Sequence, residues 1–77
     1  MENSQLVAII SRLDAMTKAA GDEVQSRRFE KDGQERAFVT YDPATATFEL
    51  EELASHQKFE FDNIDLTAME TYDLLDY

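Results

Sequence analysis

Cysteine and tryptophan are absent from this 77-residue chain, proline occurs once and glycine twice. Without cysteine there is no disulfide framework, no thiolate metal site and no thiol nucleophile. Scarce glycine removes the phosphate-cradling loops: Gly21 and Gly33 stand alone, so neither G-x-x-x-x-G-K-S/T nor G-x-G-x-x-G can be written. Long apolar runs are missing as well. The longest aliphatic stretch, Leu6-Val7-Ala8-Ile9-Ile10, is far below the roughly 20 residues that cross a bilayer. Glu2 precedes it where a secretory signal would carry basic residues. A chain this short holds one domain and buries only about 60% of its unfolded surface, so its core is modest. At 43% apolar residues it is nevertheless too hydrophobic for a disordered acidic tail. The expectation is a small soluble domain in the cytoplasm.

Basic residues are the other scarcity, with 7 Lys and Arg against 17 Asp and Glu and a net charge of −10. Their placement is uneven. Residues 1–39 carry Arg12, Lys18, Arg27, Arg28, Lys31 and Arg36 against seven acids, whereas residues 40–77 carry Lys58 alone against ten. Double-stranded nucleic acid draws most of its non-specific affinity from Lys and Arg replacing counterions, so the second half repels it. A basic hairpin made of Arg27, Arg28, Lys31 and Arg36 keeps nucleic-acid binding open as an unfavoured alternative. Glu30 and Glu35 offset those bases, which reads more simply as a solvated surface.

Periodicity then supplies the elements. Leu6, Ile9, Ile10, Leu13 and Met16 form one apolar stripe and predict a helix over about 4–20, with Asn3 or Ser4 capping its start and Gly21 ending it. Beyond Gly21 the period becomes two, predicting strands at about 25–31, 34–41, 47–52 and 58–62. For the first hairpin, a three-residue Lys31-Asp32-Gly33 loop pairing Glu30 with Gln34 places Phe29 beside Ala37, Val39 and Tyr41. A two-residue Asp-Gly loop would place it beside Arg36 and Phe38, a poorer apolar set. Phe48, Leu50, Phe59 and Phe61 point inward on the later strands. A final helix is predicted over about 65–76, with Met69, Tyr72 and Leu75 as its stripe and Thr67 and Glu70 at capping-box spacing. The fold class is α+β: a single domain in the order α-β-β-β-β-α, its antiparallel sheet of about four strands covered on one face by both helices.

Chemistry is sparse in this pattern. His56 is the sole imidazole, and its neighbour Ser55 is expected to point elsewhere, which leaves no triad. The acidic stretch containing Asp62, Asp65, Glu70, Asp73 and Asp76 invites a hard-cation reading. Ile64 and Leu66, however, occupy positions where a calcium loop needs oxygen ligands. Asp62, Asp65, Glu70 and Asp73 are therefore weak candidates for a metal or small-ligand site, and the expected cofactor set is none. Phe38 falls on the sheet face away from the helices, near Arg28 and Arg36, and is the interface candidate.

Several segments together resemble the YkuJ-like family of small bacterial proteins. These are Ser4-Gln5-Leu6 with Ile9-Ile10 and Arg12-Leu13, Arg28-Phe29-Glu30, Phe48-Glu49-Leu50, and Phe61-Asp62-Asn63-Ile64-Asp65 leading to Tyr72-Asp73-Leu74-Leu75. The resemblance covers nearly the whole chain. It implies a central antiparallel sheet with flanking helices, a cytoplasmic bacterial protein and no established biochemical activity, and it supplies no catalytic or ligand residues.

The functional expectation is a non-enzymatic interaction module. A small domain without disulfides or metal often gains stability by associating, so a homodimer is expected, with no membrane partner and an unnamed protein partner of basic character.

Overall fold

A computed structural model describes residues 4–19, 21 and 23–75. The expectations placed on Asn3, Ala20 and Asp76, and on the side chain of Ser4, lie outside the described residues. The chain runs α1 (Ser4–Lys18), β1 (Gln25–Lys31), β2 (Gln34–Asp42), β3 (Thr47–Glu52), β4 (Gln57–Phe61) and α2 (Ile64–Leu75). The four strands form one antiparallel sheet in the order β1-β2-β3-β4, so each strand pairs with its sequence neighbour. The helices pack on each other, and α2 lies across all four strands. Ile9, Leu13 and Met16 of α1 close with Ala68 and Leu75 of α2 over Phe29, Ala37, Val39, Phe48 and Leu50 as one core.

The first hairpin corrects the expected register. Lys31 pairs with Gln34 and Glu30 with Glu35, so the loop is the two-residue Asp32-Gly33. Both loop residues have positive φ, 57° and 77°. A type I′ turn requires that, and its twist matches the strands it joins. Phe29 nevertheless pairs with Ala37, because the ladder shifts between Phe29 and Glu30 and leaves Arg36 without an opposite residue. Turn chemistry and burial thus made separate demands. The turn chose two residues, and a β-bulge at Arg36 returned Phe29 to the covered face. The bulge is anchored by Leu53, whose N–H donates to the Arg36 carbonyl at 3.0 Å.

The other two loops have four residues each and close on a non-glycine residue of positive φ, Ala46 at 53° and His56 at 61°. In the first, the Asp42 carboxylate accepts from the Ala44 N–H at 2.9 Å, an Asx turn that starts the reversal. Ala46 has no side-chain hydrogen bond to offset its left-handed backbone. Ala46→Gly is therefore expected to raise stability by about 0.5–1 kcal/mol. Thermal unfolding followed by circular dichroism checks this, and a lower midpoint for the variant would contradict it.

In α2 the buried stripe differs from the expected one. Met69 is 58% exposed, while Thr67, Ala68, Thr71 and Leu75 are buried. Two threonines can take the core side because each hydroxyl satisfies itself: Thr67 Oγ1 donates to the Asn63 carbonyl and Thr71 Oγ1 to the Thr67 carbonyl, both at 2.8 Å. With the hydroxyls bonded, their methyl groups pack as apolar surface. The helix starts at Ile64 because Asn63 caps it, its Oδ1 accepting from the Leu66 N–H at 3.1 Å. Asp65 then stands in the first turn, where the helix dipole favours an acid.

Candidate functional site: the uncovered sheet face

Strand pairing decides which side chains share the face that neither helix covers. One row across the sheet reads Arg28, Phe38, Glu51, Lys58, and the adjacent row reads Ser26, Thr40, Glu49, Glu60. Phe38 is half-buried in the middle of this surface. The Arg28 guanidinium lies 5.2 Å from the centre of its ring, within cation–π range. Arg28 also pairs with Glu35 at 3.3 Å. Both partners are more than half exposed, so the pair orients the guanidinium rather than stabilising the fold appreciably.

His56 lies beside the same face. Its Nδ1 is 3.0 Å from Glu51 Oε2, and its side chain is 77% exposed. Ser55 turns instead to Glu52, donating to Oε1 at 2.8 Å. The two neighbours therefore address different carboxylates, and no nucleophile–base contact forms between them. Glu49 and Glu60 stand directly opposite each other, a like-charge pair of the kind that costs stability in an isolated sheet.

The weak metal candidates are spread out. Asp62 lies just past β4, Asp65 in the first turn of α2, Glu70 half-buried in its middle and Asp73 exposed in its last turn. Among the described residues no three acidic or imidazole groups converge on a point that could hold a cation. The four bases of the hairpin are also distributed. Arg28 sits on the uncovered face, Arg27 opposite Val39 on the other, Lys31 at the end of β1 and Arg36 in the bulge. They do not present one phosphate-binding surface.

A cleft of about 320 Å³ opens at the bulge, lined by Arg36, Glu35 and Glu52 with Leu53 and Leu74. Arg36 Nε is buried there with no hydrogen-bond partner among the described residues. Two carboxylates share the lining, so the cleft offers a guanidinium no free field for an anion.

Sequence reasoning missed a second feature at the other edge. Phe59 and Phe61 of β4 are only half-buried although they point to the helix side, and Leu66 and Met69 of α2 are more than half exposed. Leu66 lines a groove with Phe61, Glu60, Asp62 and Thr47 along the outer strand. The signal was present in the exposed flank of α2, and it was hidden by assigning Met69 to the core.

These features define a small α+β protein whose helices back one side of an antiparallel meander and leave the other side bare. The chain belongs to the DUF1797 family, described as a protein of unknown function, which matches residues 9–75. It is 38% identical over 77 residues to the uncharacterized protein YkuJ of Bacillus subtilis (strain 168), covering 94% of this chain and 98% of that relative. The X-ray structure of YkuJ from Bacillus subtilis superposes with a TM-score of 0.87 at 33% identity, covering 95% of this chain and 99% of that one. The antiparallel sheet between two helices is therefore a shared architecture. Among the described residues no helix is long and apolar enough to cross a membrane.

Proposed function

We propose that this chain is a non-catalytic, self-associating interaction module of the cytoplasm, whose uncovered sheet face binds a protein partner rich in basic side chains. The observation that carries the reading is the composition of that face: one half-buried aromatic, Phe38, in a field where Glu49, Glu51 and Glu60 outnumber Arg28 and Lys58. An aromatic anchor inside a polar surround is the usual make-up of a protein-binding patch. The surplus of carboxylates favours encounter with a positive surface and disfavours nucleic acid and anionic lipid. Among the described residues the candidate acids Asp62, Asp65, Glu70 and Asp73 do not converge with a third ionisable partner, which supports a binding role over a catalytic one.

The test is co-purification from the native cells with tagged wild type, Phe38→Asp and Glu49→Lys/Glu51→Lys. The expected result is a basic protein retained by wild type and lost from both variants. Equal retention by all three, with each variant folded by circular dichroism, overturns the assignment of this face.

A further inference from the structure

The sheet has two outer strands, and they differ in what a second copy of the chain would meet. The β1 edge carries Arg27, Arg28 and Lys31. Antiparallel self-pairing centred on Arg27, Arg28 or Phe29 would set basic residues opposite each other: Arg27 on Arg27, Arg28 on Arg28, or Arg27 on Lys31. Like charges directly opposite destabilise a ladder, and charged side chains on an edge guard it against pairing.

β4 behaves oppositely. It is a regular five-residue strand, Gln57-Lys58-Phe59-Glu60-Phe61, without a partner strand on its outer side among the described residues. A two-fold axis through Phe59 would place Lys58 of each copy directly opposite Glu60 of the other and Phe59 opposite Phe59. Moving the axis by one residue destroys this: centred on Lys58 it opposes two lysines, and centred on Glu60 it opposes two glutamates. The register that pairs all five residues is thus also the one that satisfies the charges.

Three further observations agree with it. Neither Lys58 nor Glu60 makes an ion pair among the described residues. Glu60 faces Glu49 within its own sheet, and the incoming Lys58 would land on its free side. On the helix side, Phe59 and Phe61 are only partly buried, and Leu66, which is 51% exposed, shares a groove with Phe61.

We infer that the chain dimerises by antiparallel pairing of β4 with β4 of a second copy, centred on Phe59, to give one eight-stranded sheet. The proposal rests on the self-associating reading and names the surface that performs it. The isologous contact closes after two copies, so it makes a dimer and leaves only the guarded β1 edges outside. The uncovered faces of the two copies then join into one continuous surface, and Phe38 lies away from the contact rather than in it. Self-association is thereby assigned to β4, and the interface candidate Phe38 is left to the other partner.

Charge exchange across the axis provides the test, read by sedimentation of the full chain over a range of micromolar concentrations. Wild type is expected to be a dimer. Lys58→Glu and Glu60→Lys each turn both cross-axis pairs into like-charge pairs and are expected to weaken the dimer by roughly tenfold or more. The double variant K58E/E60K restores opposite charges and is expected to return to near wild-type affinity. Mixing the two single variants is expected to produce a heterodimer, because one then supplies only acids and the other only bases at the axis. Misfolded chains could not give that recovery, and circular dichroism confirms that each variant folds. Phe38→Asp is expected to leave the dimer intact. If wild type is a dimer that neither single variant weakens, or that Phe38→Asp dissociates, the β4 contact is wrong while self-association stands. If wild type remains a monomer throughout, both readings fail.

Discussion

Phe29→Ala is expected to destabilise the fold by about 3–5 kcal/mol, the range for removing a buried aromatic ring. Phe29 is 1% exposed and sits on the covered face of the outer strand β1, opposite Ala37, whose small side chain leaves room for the ring. A domain of this length has on the order of 4–12 kcal/mol of stability in total, so the loss takes a large share of it. The variant also removes the reason for the bulge. Without an aromatic ring to bury, the two-residue Asp32-Gly33 turn no longer has to accommodate a register shift, and a regular ladder opposing residue 29 to Arg36 becomes competitive. Urea unfolding checks the first effect and amide hydrogen exchange along β1 and β2 checks the second. A midpoint close to wild type would mean that Phe29 does not hold the hairpin to the core. Phe38→Ala is the matched control: the same residue type on the uncovered face, in the same strand pair, with a far smaller expected cost.

The hairpin also marks what the sequence made legible. Alternation correctly placed Phe29 with Ala37, Val39 and Tyr41, since burial has to be satisfied whatever the loop does. The route was not legible, because a three-residue loop and a two-residue loop with a bulge bring Phe29 to the same face. They differ only in backbone geometry at Asp32 and Arg36, which hydrophobic period does not encode. The consequence is at Arg36, which the loop assignment put among surface bases and the bulge turns toward a cleft with Glu52 and Leu74.

Helix α2 fails differently. Hydropathy ranked Met69 above Thr67 and Thr71, but the threonines spend their hydroxyls on their own helix's carbonyls and then pack closely. Ala68 between them brings the helix near the strands. That rotation of the helix is what leaves Leu66 and Met69 facing outward, and it is why the β4 edge could not be recognised from composition. Phe38 was legible for the contrary reason: strict alternation in β2 fixes its side, and no helix stripe had to be phased to find it.

Leu50→Ala carries the second large effect, about 2–5 kcal/mol, as for other fully buried leucines cut back to alanine. Leu50 is completely buried and pairs with Val39 on one side and Phe59 on the other, so it spans from the centre of the sheet to the β4 edge. The strands on both sides are hydrogen-bonded and cannot collapse into the space, which places the cost in the upper part of that range. A shift of about 4–8 °C in Tm per kcal/mol is typical for a domain of this size, so a fall of well over 10 °C is expected. The comparison with Leu66→Ala separates burial from residue type, because Leu66 is half exposed and its loss should leave the monomer's stability nearly unchanged. The two variants part again in the dimer. Stability that includes association rises with protein concentration. Leu50→Ala should lower Tm by a similar amount at every concentration, whereas Leu66→Ala, beside the β4 edge, should reduce chiefly the concentration-dependent part. A Leu50→Ala midpoint within a few degrees of wild type would show that the strands do close over the vacancy, and would contradict a rigid sheet backed by two helices.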